Sequence, residues 1–459
     1  FGWFADSDPY NRFLFDQLVR HVDGMPWSER GSNPSPSPVA LPPPHFDTLR
    51  RIHRKLVSVL PPSTKRYVFV SSYLSAIDQL RLQLSLRQVP TMNYAQVAPP
   101  AARLDPEMRA SMKVGADPET AFESTLLSLI PRQMPMTYLE GYAEMVERSS
   151  AALPRDPAVI FTSVAFETNE AFKFWAADAL SWGAKLAIMQ HGCHYGTALV
   201  HQSEDHELAI SDRFFTWGWE DERGAKPLPA AKLNRFISRA SPAPEGCLLL
   251  ALNAWPKYPY RIYSAPCGAA EMLEHAEEQF RFVGALPPSV LASLRVRPFP
   301  NDRGWKQMER WGERFPGVQV GDEGKSLMDQ LCSSRLFVTT LGMTPHLEAL
   351  AADFPCIGFA NPAHNELRPS VRDAYEGLEE AGLAFGSPEE SAAKVAEVWS
   401  DVLRWGKSPT VQEARRAFVR RLVWTDSAWL RTWRRELLAL ATEGSDPPMR
   451  ARCTSQAAT

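Results

Sequence analysis

The chain has 459 residues, 50 basic and 53 acidic, for a net charge of −3. That length exceeds one ordinary core and predicts two or three domains. The near balance of charge gives no electrostatic footprint for nucleic acid. No apolar run reaches the roughly 18 residues that a membrane-crossing helix needs, so no transmembrane helix is expected.

Hydrophobic residues make up 44% and charged residues 22%, as in soluble globular proteins. The chain begins at Phe1 rather than Met, which leaves room for a removed targeting segment. Residues 1–45 read as an extension: a helix within the first 30 residues, then a proline-rich linker (SNPSPSPVALPPPH). Apolar positions at helical spacing between Phe46 and Leu60 predict a helix, and Arg66–Ser72 a strand. Ile77–Leu86 reads as a helix, residues 95–118 as irregular, and Ala121–Leu129 and Tyr138–Ala152 as helices. Ala158–Ser163 is a strand ending in hydroxyls, among them Ser163. The helix Asn169–Trp182 and the strand at Lys185–Met189 follow, and strand–helix–strand implies parallel pairing. Glu204–Asp212 leads into a strand at Arg213–Trp219, which closes a Rossmann-like half over residues 46–240; residues 221–245 have the composition of a linker.

A second α/β series occupies residues 246–405. Strands are expected at Cys247–Leu252, Ser293–Phe299, Val318–Val320, Leu336–Thr340 and Cys356–Phe359. Helices are expected at Ala269–Val283, Trp305–Phe315, Ser326–Ser333 and Thr344–Asp353. Helices over 406–445 are expected to pack back on the first half, and 446–459 to form a disordered tail. Two Rossmann-like halves joined by a linker and strapped by C-terminal helices form the architecture of GT-B glycosyltransferases, with the ligand in the cleft between them.

Ligands of open α/β sheets sit outside the carboxyl ends of the strands. The loop after Met189, with Gln190, His191, Gly192, His194 and Tyr195, is therefore the first candidate for chemistry. His191 is the preferred proton acceptor because a histidine titrates near neutral pH; a phosphate-binding role for it stays open. Glu204, Glu207 and Asp212 are further candidates. The second candidate follows Leu336–Thr340. Thr340 ends the strand, Gly342 permits close backbone approach, and Thr344–Pro345 fits a helix start whose free N–H groups suit a phosphate. Glu348, one turn on, would hold ribose hydroxyls or serve as a cap. Arg295 and Arg297 share a strand face, and Arg261 lies in an aromatic loop after Leu252; each suits an anion. The run Glu204–Glu207 reads as a metal cluster or, by the commoner pattern, a solvated charge run.

The cysteines Cys193, Cys247, Cys267, Cys332, Cys356 and Cys453 form no CxxC pair, which favours a reducing cytoplasm over a zinc site or disulfide framework. The 14 tryptophans are expected mostly in cores and interfaces. Those near the C-terminus (Trp424, Trp429, Trp433), with Arg431, Arg434 and Arg435, also fit a peripheral membrane surface.

The segments IFTSVAF (160–166), FKFWAAD (172–178), GAKLAIMQHGCHYG (183–196), HELAISDRFFTWGW (206–219), LFVTTLGMTPHLEALAADFPCIGF (336–359) and GLAFGSPEESAAKVAEVW (382–399) resemble a family of bacterial transferases associated with surface-polysaccharide loci. The resemblance covers about 120–442; Cys193 stands where the family has a second glycine after QHG. It implies a GT-B-like glycosyltransferase acting on a cell-surface glycan, with a nucleotide-sugar donor and a glycan or lipid-linked glycan acceptor. No metal or other cofactor is implied, and the enzyme is expected in the cytoplasm or at the inner face of its membrane. More distantly the chain resembles transferases of CMP-activated ulosonic acids, whose carboxylate would give the arginines a second anion. A nucleotide-sugar epimerase, a glycerophosphotransferase or a non-catalytic scaffold of the same fold is the alternative.

Overall fold

A computed structural model of the chain describes residues 8–20, 61–90, 97–115, 117–192, 194–255, 257, 269–321, 324–340 and 343–443. The helix expected over 46–60, Arg261, Gly342 and the 446–459 tail lie outside the described residues.

Two parallel sheets organise the rest. The first runs in plain sequence order: β1 (Tyr67–Val70), β2 (Val159–Thr162), β3 (Lys185–Met189), β4 (Arg213–Thr216) and β5 (Lys226–Pro227). Strands β1 to β4 are almost wholly buried, as parallel strands covered by helices must be, and β5 at the edge is half-buried. Alternation sends Val68 and Val70 to one core and Tyr67 and Phe69 to the other. The second sheet contains β6 (Cys247–Ala251), β7 (Leu294–Arg297), β8 (Gln319–Val320), β9 (Ser334–Thr340), β10 (Cys356–Phe359) and β11 (Ala384–Phe385), in the order β11-β10-β9-β6-β7-β8. That is the doubly wound nucleotide-binding order, whose direction reverses between β6 and β9 and opens a crevice at their carboxyl ends.

Six helices matter for the site. They are α1 (Glu170–Ser181), α2 (Gln202–Ile210), α3 (Thr344–Ala351), α4 (Arg372–Glu380), α5 (Pro409–Leu422) and α6 (Trp429–Leu440). Asn169 caps α1 by accepting from Phe172 N, and Gly183 at φ +96° follows it. Helix α2 has little apolar periodicity, so the sequence does not announce it; His201 caps it, its Nδ1 accepting from Glu204 N at 2.9 Å. A short helix at Pro106–Ser111, capped by Asp105, interrupts the stretch expected to be irregular.

Two expectations are corrected. The linker reading of 221–245 fails for 226–233, where β5 joins the first sheet and Leu228, Ala230, Ala231 and Leu233 are buried. Proline suits this edge strand, which donates few ladder bonds. Of the C-terminal helices only α6 lies on the first sheet; α5 packs against the second half, with Arg415 donating to Leu350 O at 2.9 Å and Phe418 edge-on to Tyr375.

Trp429 and Trp433 are core residues, which withdraws both from the membrane surface their spacing suggested. Trp433 meets Phe161 and Phe215 edge-on, at centroid distances of 5.5 and 5.1 Å, and donates to Pro229 O at 2.8 Å. Trp433→Ala is expected to lower unfolding stability by about 3–5 kcal/mol in denaturant titrations, through a cavity and a lost hydrogen bond. Trp433→Phe, which keeps most of the volume, should lose less than half of that.

Candidate active site

The His191 loop starts where β3 ends. Gln190 is buried and brackets it: Oε1 accepts from Trp217 N (3.0 Å) and Trp219 Nε1 (2.8 Å), and Nε2 donates to Gly192 O (3.0 Å). The loop is thus clamped to the end of β4. His194 takes a left-handed conformation (φ +67°), and Gly196 (φ +71°) lies so close to Trp219 that a Cβ would overlap the indole.

Within the loop, His191 Nδ1 lies 3.0 Å from the Tyr195 hydroxyl, which donates to Glu207 Oε1 at 2.7 Å. A hydroxyl has one proton. If Tyr195 gives it to Glu207, His191 Nδ1–H must donate to Tyr195, and the lone pair sits on Nε2. Glu207 is fully buried, and burial pushes its carboxyl well above the usual range; Glu167 and Glu204 add to that, and Tyr195 opposes it.

The facing wall comes from the second sheet. Thr340 ends β9 beside the crevice; its Oγ1 is buried without a hydrogen-bond partner among the described residues. Helix α3 begins one residue earlier than the Thr-Pro signal suggested. Met343 is the N-cap and offers no side-chain cap, with Thr344 and Pro345 at the first two helical positions. Thr344 Oγ1 would lie only 3.0 Å from a Cβ on Gly192, so the two walls touch here, and glycine permits the approach. His346, one turn in, is fully buried, and burial holds its imidazole down to about 4.

Lys232 joins the walls. It rises from the turn after β5, donates to His191 O at 3.0 Å and lies 3.8 Å from Glu348 Oε1. Its ammonium stands 5.2 Å from the Tyr73 ring centroid and 5.5 Å from that of Trp217. Burial raises the Glu348 carboxyl and Lys232 lowers it. The side chains of His191, Lys232 and Glu348 keep 22%, 19% and 15% of their exposure, so a solute can reach all three in otherwise closed surroundings.

The structure therefore brings together Gln190, His191, Gly192, Tyr195 and Glu207 on one side and Thr344 and Glu348 on the other. Other expected residues go elsewhere. Asp212 precedes β4, at the amino edge of the sheet, where it accepts from Leu186 N (2.8 Å) and Lys185 Nζ (3.1 Å); its assignment as a proton acceptor is corrected. Ser163 donates to Ser72 O at 3.0 Å and ties the ends of β1 and β2. Arg297 reaches the carboxyl edge, but its Nη1 donates to Lys325 O and Gln330 Oε1, both at 2.9 Å, so it braces its own half. Among the described residues no group of three or more His, Cys, Asp or Glu could hold a metal; Glu204 and Glu207 turn to separate partners. Lys232 and Tyr73 escaped the sequence reading. Tyr73 follows β1 in a left-handed conformation (φ +58°), an unusual backbone for a bulky residue and a signal only coordinates give.

Two parallel α/β halves that meet at their carboxyl edges, with a C-terminal helix crossing back, form a GT-B-like architecture. Solved structures resembling the chain include UDP-GlcNAc 2-epimerase from Neisseria meningitidis bound to UDP-GlcNAc (TM-score 0.44, 9% identity, 81% of this chain and 99% of that one). Others are the glycosyltransferase VinC in complex with dTDP (0.40, 13%, 82% and 100%) and WaaG, a glycosyltransferase of lipopolysaccharide biosynthesis (0.35, 13%, 82% and 100%). These likenesses are remote, and the architecture stands on the strand topology itself. No curated protein matches the chain. The profile of the LIC12162 family transferase matches residues 1–437. The chain belongs to that family of transferases.

Proposed function

We propose that this transferase is a glycosyltransferase that moves a sugar from a nucleotide-activated donor to an acceptor hydroxyl. The observation that carries the reading is the meeting of the His191–Tyr195–Glu207 relay with the start of α3, through Gly192 and Thr344. The acceptor oxygen bonds to the anomeric carbon as the bond from that carbon to the donor phosphate breaks. The bonding pair leaves with the phosphate oxygen, and the acceptor proton passes to His191 Nε2. Glu207, 3.9 Å from His191 Nδ1 and linked to it through Tyr195, stabilises the imidazolium. The donor phosphate lies at the N-terminus of α3 beside Thr340, and Glu348 holds the ribose. The family resemblance favours a bacterial surface glycan as acceptor, free or lipid-linked, and a CMP-linked ulosonic acid among the donors. A lipid-linked acceptor would draw the chain to the inner face of the membrane. No helix among the described residues is long and apolar enough to cross one.

Calorimetric titration with CMP, UDP and GDP is expected to show binding of at least one; binding of none sinks the reading. His191→Ala should cut kcat by roughly 10²–10⁴ while nucleotide affinity holds. Unchanged turnover would remove His191 from the chemistry. Product analysis separates transfer from epimerisation, since an epimerase converts the donor without an acceptor.

The acid limb of kcat should also depend on Glu207. Its carboxyl is raised, so the ionised form that supports His191 is lost as pH falls, above the usual carboxylate range. Glu207→Gln removes that proton and weakens the imidazolium, so both effects move the limb to lower pH, with a lower plateau. A limb that stays in place refutes the coupling.

A further inference from the structure

We propose that Lys232 is the cation that neutralises the leaving nucleotide phosphate. This rests on the glycosyl-transfer reading. The bond that breaks lies between the proton acceptor and the nucleotide, and Lys232 touches both sides of that gap: the carbonyl of His191 at 3.0 Å and Glu348, on the donor helix, at 3.8 Å. As the carbon–phosphate-oxygen bond breaks, the pair remains on the phosphate and negative charge grows there. A fixed cation at that point lowers the barrier more than it tightens the ground state. Arg297, an anion candidate from the sequence, is engaged within its own half, donating to Lys325 O and Gln330 Oε1.

The ammonium is also aimed. The Tyr73 and Trp217 ring centroids lie 5.2 and 5.5 Å away, and burial of the flanking Ala231 and Leu233 anchors the backbone from which the side chain rises. Lys232 belongs to the first half, whereas Thr344 and Glu348 belong to the second. The cation therefore bridges the two halves, from the acceptor-side loop to the donor helix.

The test is calorimetric and kinetic, on the full chain, with Lys232→Met, which keeps the apolar stem, and Lys232→Arg, which keeps the charge. Titrants are CMP, UDP and GDP and the phosphate-free cytidine, uridine and guanosine. Lys232→Met should weaken the phosphorylated ligand by roughly 10–100-fold. It should leave the nucleoside unchanged and lower kcat; Lys232→Arg should recover part of both. Equal loss of nucleoside and nucleotide affinity overturns the assignment in favour of a structural role. Unaltered nucleotide affinity and turnover in Lys232→Met overturn it outright while the transfer reading survives. A parent protein that binds no nucleotide ends both.

Discussion

The buried carboxylate of Glu204 holds the site in one piece. It is fully buried on α2, and three groups converge on it. Gly196 N donates at 2.6 Å from the end of the His191 loop, Arg223 from the β4–β5 connection, and Arg368 at 2.6 Å from the second half. A buried charge costs several kcal/mol and stands only when its lone pairs are satisfied. Each donor is thereby held in place, and each comes from a different part of the chain. Arg368 extends the stitch: its Nε donates to Ala198 O and its backbone N to Thr197 O, while Leu199 N donates to Glu366 O. The far end of the His191 loop is fastened to the second sheet's half by main-chain and ionic bonds together.

With Gln190 fixing the near end and Glu204 the far end, the loop has little freedom left. That is what a proton relay requires, since hydrogen bonds of 3.0 and 2.7 Å survive only where the three side chains are held independently. Tyr195 is packed by His201 at a ring distance of 4.3 Å, and Glu207 sits one turn beyond Glu204 on α2. The same helix thus supplies the carboxylate that anchors the loop and the one that orients its histidine. Their closeness is one reason the Glu207 carboxyl titrates high.

What the sequence made legible follows from periodicity and strand ends. Apolar runs located β1 to β4, β6, β7, β9 and β10. The Thr-Pro signal located α3 to within a residue, and position after β3 singled out His191. Asp212 was misread because it adjoins a strand at the wrong end: in a parallel sheet a residue that precedes a strand lies on the edge away from the ligand. Arg297 sits at the correct edge, yet a guanidinium long enough to reach a ligand is long enough to reach Lys325 O and Gln330. Lys232 was hidden by composition. Pro-Leu-Pro-Ala-Ala-Lys has no strand period, and an edge strand of two residues leaves none to find.

That segment is held where it is by a helix two hundred residues later. Leu228 N donates to Thr216 O and binds the segment to the end of β4. Pro229 O accepts from Trp433, Ala230 N donates to Trp424 O, and Lys226 pairs with Glu436. The chain from 226 to 230 is therefore fixed on one side by β4 and on the other by α6 and its approach, and Lys232 follows two residues on. The C-terminal helix is more than a strap over the first sheet, because its core tryptophan sets the height of the turn that places an ammonium beside His191. The return of the chain to its first half thus couples overall stability to the local electrostatics of the cleft.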